Sequence, residues 1–269
     1  MFGNFKIADI IAFHCSRIDN ICRQELQRGI LVSERDYVTS LSTRIRDELR
    51  IQFLIPCHSQ TVRPQTETEN GVDGIIVFKY HDEIKAGLFE AKRPQIYNSL
   101  RPATINNYMW DSLTDRNTSH FSEQIQKQHK WDGALALWEM FFNDGPSGFG
   151  SPPFDFFGSS CVWHDSAYNF MNIQGLIFNR WTTSDLQILL TNNCINFYSI
   201  IYDILSCKAG RRFKIETKNQ SAIISSPTND NVFMEVPLPI EATNERDERV
   251  EAFLVKNNLD NFTFLKLDD

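Results

Sequence analysis

The sequence lacks any run of about 18 apolar residues, so it contains no candidate for a membrane-crossing helix and no membrane contact is expected. Its start, Met1-Phe2-Gly3-Asn4, lacks the basic-then-apolar plan of a secretory leader, and a cytoplasmic protein is the expectation. No Cys-x-x-Cys pair occurs among Cys15, Cys22, Cys57, Cys161, Cys194 and Cys207. That scatter indicates neither a zinc knuckle nor a disulfide framework, and the thiols read as reduced and mostly buried. Internal repeats and low-complexity tracts are also missing. So is a surplus of positive charge, since the formal net charge is -7 at pH 7. Phosphate binding is normally driven by clustered Lys and Arg, so this balance argues against a nucleic-acid protein. The objection is limited, because a catalytic site concentrates carboxylates and charge distribution matters more than the sum. An acidic chain of this kind is expected to draw part of its grip on nucleic acid from a partner subunit or an oligomer.

What is present is an ordinary globular composition, 42% hydrophobic and 12% aromatic over 269 residues, long enough to bury a sizeable core. The chain is organised around two apolar stretches joined by a polar break. Asp73-Gly74-Ile75-Ile76-Val77-Phe78 precedes Tyr80-His81-Asp82-Glu83, and Gly87-Leu88-Phe89-Glu90-Ala91-Lys92 follows. These read as two strands of a hairpin. Side chains alternate between faces with a period of two, so Glu90 and Lys92 share a face. If the strands pair antiparallel, the Asp73 carboxylate comes close to Glu90 across the hairpin. Carboxylates are the ligands a hard divalent cation such as Mg²⁺ (or Mn²⁺) prefers, and a neighbouring lysine can orient a water and offset charge. That set of groups suits phosphodiester hydrolysis; a solvated hairpin with surface charges is the plain alternative.

Upstream, Ile7, Ile10, Ile11, Ile18, Ile21 and Cys22 fall on one helical stripe, ended by Gly29. His14 lies on that stripe and is read as a satisfied core histidine rather than a ligand. Ser33, followed by Glu34 and Asp36, has the form of a cap opening a second helix to about Arg50. Its stripe of Val38, Leu41 and Ile45 runs back onto Glu34. A carboxylate on that face either caps the first turn or meets a cation, with Glu48 as a second choice for the latter role. Ile51 to Ile55 reads as a short strand ended by Pro56, and Thr61 to Asn70, with Glu67 and Glu69, as a loop. Ser122 to Lys130 reads as a helix, followed by an apolar strand, Ala134 to Trp138. On that helix Gln124, Lys127, Gln128 and Trp131 share a face, with Lys130 close by.

Asp73 at the start of an apolar strand, followed by Glu90-Ala91-Lys92, resembles the core motif of the PD-(D/E)XK nuclease superfamily, the restriction-endonuclease-like fold. Val72 stands where the motif's name has a proline, a departure many members share. The resemblance covers the stretch 33–138 and implies an α/β protein with a central mixed β-sheet flanked by helices. It further implies a metal-dependent nuclease acting on double-stranded DNA, with Asp73, Glu90 and Glu34 holding Mg²⁺ and Lys92 serving the attacking water. Gln124 and Lys127 resemble the helix element that reaches the water or the scissile phosphate. A defence or restriction setting, with a partner ATPase or sensor subunit, is the superfamily's usual employment. A catalytically inactive module that binds nucleic acid or protein is the alternative.

The remaining chain shows no motif whose chemistry can be named. Gly145 to Pro153 reads as a loop and Cys161-Val162-Trp163 as a strand with His164-Asp165 at its end. Gly158-Ser159-Ser160 lacks the Gly-x-Ser-x-Gly spacing of a nucleophile turn, and a serine hydrolase is rejected. One long helix is predicted from Thr183 or Ser184 to Gly210. Around its end stands the densest basic cluster, Lys208, Arg211, Arg212 and Lys214, facing phosphate or complementing the helix terminus. Short strands over 213–217, 222–225 and 232–236 and a charged helix over 243–255 complete the chain. The expected organisation is an N-terminal helix packed on the core (1–32), a nuclease core (33–142) and a C-terminal α+β extension (143–269) continuous with that core, for specificity, oligomerisation or partner binding.

Overall fold

The computed structural model describes residues 2–62, 71–93, 95–96, 108–142, 158–216, 220–229, 231–239 and 246–268. Glu67, Glu69 and the Gly145–Pro153 loop lie outside the described residues. Helix α1 (Phe5–Gln27) starts at Asn4, whose side chain accepts from the Lys6 and Ile7 amides, and α2 (Glu34–Phe53) starts at Ser33, which accepts from Asp36 N–H. Two strands follow, β1 (Cys57–Thr61) and β2 (Gly74–Tyr80), then β3 (Glu83–Lys92). A small pair, β4 (Gln95–Ile96) and β5 (Tyr108–Met109), precedes α3 (His120–Gln128) and β6 (Ala136–Phe141). Next come β7 (Ser160–Trp163), α4 (His164–Gln174), α5 (Thr183–Asn193), β8 (Ile195–Asn196) and α6 (Phe197–Leu205). The chain continues through β9 (Phe213–Glu216), β10 (Ser221–Ser225), β11 (Phe233–Pro237), α7 (Glu248–Asn257) and β12 (Asn261–Lys266).

The main sheet runs β1-β12-β2-β3-β6-β7-β8, with β9, β10 and β11 branching from β3. It is mixed: β2 and β3 pair antiparallel through the His81-Asp82 turn, while β12 with β2 and β3 with β6 are parallel. Helices cover both faces, so β3 is buried from Ile84 to Lys92. On one face α1, α2 and α6 pack on Ile76, Phe78, Phe89, Trp138, Met140 and Leu265. The other face carries two apolar groups, one around Val77, Leu88, Leu137 and Phe264 beneath α7, the other around Phe141 and Val162 beneath α3, α4 and α5. Burying each of these large side chains is worth about 1.5–3 kcal/mol. The polar residues of the hairpin lie in the seam between those two groups.

The structure corrects several expectations. Residues 51–53 end α2 rather than forming a strand, because Leu54 takes the left-handed conformation (φ 56°) and turns the chain into β1. His164-Asp165 opens α4, a helix the sequence reading did not foresee. The long helix is two helices, α5 and α6, broken where Ile195-Asn196 pairs with β7 and Asn196 caps α6. The C-terminal residues are continuous with the core, and more intimately than an appended extension requires: β12 lies between β1 and β2, so the sheet is completed by a strand far outside the 33–142 span. Among the described residues, no helix is long and apolar enough to cross a membrane.

Candidate active site at the end of the central hairpin

Asp73 stands just before β2, on the face shared by Ile75 and Val77. It is held by the strand beside it: its N–H donates to Phe89 O at 2.9 Å, and its Oδ2 accepts from Ala91 N–H at 2.7 Å. Its own carbonyl accepts from the amides of Asp260 and Asn261 at 3.1 and 3.0 Å, so the start of β12 fixes it from the other side. Glu90 is 1% exposed. Its Oε1 takes the Lys92 ammonium in an ion pair and accepts from Gln124 Nε2 at 2.6 Å. Lys92 Nζ also lies 5.5 Å from the centre of the Phe121 ring. Glu34 reaches the same strand end from α2, where its Oε1 accepts from Arg93 N–H at 2.7 Å.

These contacts explain the electrostatics. Burial pushes the Asp73 carboxyl up to about 7, opposed by the Lys92 ammonium and reinforced by Glu34. Burial and the Asp73 charge push Glu90 well above the usual carboxylate range. For Lys92 burial works the other way, but Glu90, Glu34 and Asp73 outweigh it and hold the ammonium above its usual value. The cluster is short of positive charge: three carboxyls surround one lysine. Two buried acceptor atoms in it, Glu90 Oε2 and Gln124 Oε1, have no hydrogen-bond partner. A buried, unpartnered acceptor costs free energy unless a cation or donor meets it, and carboxylate and amide oxygens are the donor types a hard divalent ion takes, although among the described residues no three potential ligand side chains stand gathered as a metal site.

Helix α3 is positioned by its own ends. Ser119 accepts from Ser122 N–H at 2.9 Å, and Asp111 accepts from Phe121 N–H at 2.9 Å. One turn beyond Gln124, Gln128 Nε2 donates to Gly71 O at 2.6 Å and lies 3.4 Å from Glu139 Oε2. Glu139 is the parallel-register partner of Glu90 and is fully buried; its Oε1 lies 3.1 Å from His164 Nδ1. Gln128 was visible on the Gln124 face, but Glu139 and His164 were missed. A signal existed for Glu139: it is the one charged residue within Ala136-Leu137-Trp138-Glu139-Met140-Phe141.

The structure thus brings Asp73, Glu90, Lys92, Glu34 and Gln124 together and leaves others aside. Lys127 is partly exposed on the last turn of α3, and Lys130 lies 5.7 Å from the Trp131 ring. Arg212 pairs with Glu83 at 3.4 Å and Lys214 with Glu83 in register, at the opposite end of β3 from Glu90. Seven residues of strand separate those ends, roughly 23 Å, so this basic cluster, with Arg211 and the Asp203-paired Lys208, does not face the carboxylates. Glu48 is taken by Arg17 and by His14 at 2.7 Å, between α1 and α2. Ser159 is fully buried and donates to Asp19 Oδ2 at 2.9 Å, so it presents no nucleophile. Compared with known proteins, the chain matches no family model, no curated protein and no solved structure.

Proposed function

We propose that the chain is a metal-dependent nuclease that hydrolyses phosphodiester bonds, with double-stranded DNA as the substrate. The observation that supports this reading is the gathering of Asp73, Glu90, Lys92 and Gln124 at one end of an antiparallel hairpin, with carboxyl groups held high and two buried acceptors unpartnered. The order α2, β2, β3, α3, β6, with β3 parallel to β6, agrees with the restriction-endonuclease-like arrangement that the motif residues resemble.

Asp73, Glu90 and Glu34 would hold Mg²⁺ or Mn²⁺, which when bound supplies Lewis acidity to the scissile phosphate and acidity to a bound water. The chain's own residues do the rest. Lys92, fixed by Glu90, orients the attacking water and offsets charge developing on the phosphorus. Gln124 keeps Glu90 in one rotamer and offers its free Oε1 to the same water. A partner ATPase or sensor subunit, or self-association, supplies the phosphate grip that the acidic surface lacks, in a defence or restriction setting.

The decisive assay is incubation of the purified chain with plasmid DNA and Mg²⁺, with EDTA as control. Lys92→Ala and Glu90→Ala should each abolish cutting while leaving a cooperative thermal unfolding transition. Full Mg²⁺-dependent cleavage by either variant overturns the assignment. A second reading, a module that binds nucleic acid or protein without cutting, is favoured by one observation. Among the described residues, no three potential ligand side chains already stand gathered as a metal site. DNA binding without cleavage under any divalent ion would select it.

A further inference from the structure

A second cluster of ligand-type side chains lies on the far side of Glu139 from Glu90. At the end of α3 and just beyond it stand His129 and Asp132; at the start of α4 stand His164 and Asp165. The two segments meet beside a cleft of about 400 Å³ lined by Asp132, His164 and Asp165. His164 is 1% exposed. Its Nδ1 faces Glu139 Oε1 at 3.1 Å, and its Nε2 is buried without a hydrogen-bond partner. His129 Nδ1 is likewise buried and unpartnered, its ring stacked on Tyr168 at 3.7 Å. Asp132 lies against Asp165, and desolvation together with the Asp132 charge pushes the Asp165 carboxyl upward.

We propose that His129, Asp132, His164 and Asp165 bind one transition-metal dication of the zinc class. Two nitrogen and two oxygen donors are what such an ion takes in a closed tetrahedral site. Two imidazoles ligating one zinc at tetrahedral angles bring their ring centres to about 5 Å, and those of His129 and His164 are 5.6 Å apart. Glu139 supplies the outer carboxylate that usually orients a ligating imidazole: by accepting from Nδ1–H it leaves the lone pair on Nε2. Among the described residues no three such side chains stand gathered as a metal site, so the ion would have to draw the donors onto a common centre. Asp165 is exposed and Asp132 half-buried, so both side chains have room to rotate. Of the basic groups lining the cleft, Lys208 is paired with Asp203 at 3.1 Å, leaving Arg211 as the opposing charge. The metal would tie α3 to α4 next to the strand that carries Glu139, and this assignment is independent of the nuclease reading.

The test uses the full chain stripped with EDTA, titrated with Co²⁺ and followed by visible absorption and native mass spectrometry. The expected result is one tight equivalent with the intense bands of a tetrahedral site, displaced by Zn²⁺, and a rise in Tm on Zn²⁺ addition. The double variant His129→Gln/Asp165→Asn, altered only at partly exposed or exposed side chains, should lose that equivalent. Glu139→Gln should weaken it about 10- to 100-fold. The double variant Asp73→Asn/Glu90→Gln should retain it. Absence of a tight equivalent, its persistence in His129→Gln/Asp165→Asn, or its loss in Asp73→Asn/Glu90→Gln overturns the proposal.

Discussion

Replacing Gly71 by alanine tests how closely α3 is seated against the strand that carries the carboxylates. Gly71 has φ +67°, and a Cβ there would meet the Gln124 carbonyl oxygen at 2.5 Å and Gln124 Cα at 2.7 Å. The backbone conformation alone costs an alanine roughly 1–2 kcal/mol. The contact falls short of an ordinary one by 0.9 Å (3.4 − 2.5) and involves backbone atoms that no rotamer can move aside. Overpacking of that kind adds about 1–3 kcal/mol, for a total of about 2–5. Gly175, at the end of α4, provides the control: its φ is +63° and nothing lies within 4 Å of the added carbon, so Gly175→Ala should cost only the backbone part. Urea unfolding of both variants at equal m-value reads the difference directly. Pushing α3 outward also separates Gln124 from Glu90, so on the proposed nuclease reading Gly71→Ala should lower DNA cutting on the order of 10²-fold. Equal destabilisation by the two substitutions would refute the close seating of α3.

Other expectations concern buried groups outside the site. Lys85 is fully buried in β3 with Nζ unpartnered, and burial holds its ammonium below the usual value. A depressed lysine makes the fold bind fewer protons than the unfolded chain, so stability rises as pH climbs toward the unfolded value. Lys85→Met should therefore stabilise by about 1–3 kcal/mol near neutral pH, with the gain shrinking in alkaline denaturation curves; a gain that grows with pH contradicts the reasoning. Among the thiols, burial pushes Cys15 up and Cys22 and Cys57 up to about 12, and Cys161 is buried, whereas Cys194 and Cys207 are partly exposed. A disulfide reagent should titrate those last two quickly in the native protein and the other four only after unfolding. Fast labelling of Cys15 would show that α1 does not stay packed.

The hairpin and the first two helices were legible because their signals are local. Alternation marked β2 and β3, the apolar stripe ended by Gly29 marked α1, and the Ser33 cap with its stripe marked α2. What escaped depends on distant partners. Residues 261–266 carry no turn or motif that would mark them as a central strand, and their place in the sheet comes from parallel pairing with β2. The break between α5 and α6 was hidden because the apolar stripe of Leu186, Leu190, Phe197 and Ile201 continues across it. Only the pairing of Cys161 with Ile195 reveals the interruption. In the site, Asp73, Glu90 and Lys92 were readable from their spacing, and Glu34 and Gln124 from helix faces. The role of Glu139 needs its register beside Glu90, and that of His164 needs its reach across to Glu139, neither of which the sequence displays.

The place of β12 also sets an order of events during synthesis. Gly74 finds its neighbour in Asn261, which is made 187 residues later (261 − 74). Until then one edge of β2 is bare, a template for wrong pairing that a growing chain must keep covered. The carbonyl of Asp73 waits for the same segment, since the amides of Asp260 and Asn261 anchor it. A ribosome-bound chain therefore carries the acidic residues of the hairpin without the pairing that holds Asp73 in place, and the cluster is completed only when the sheet closes.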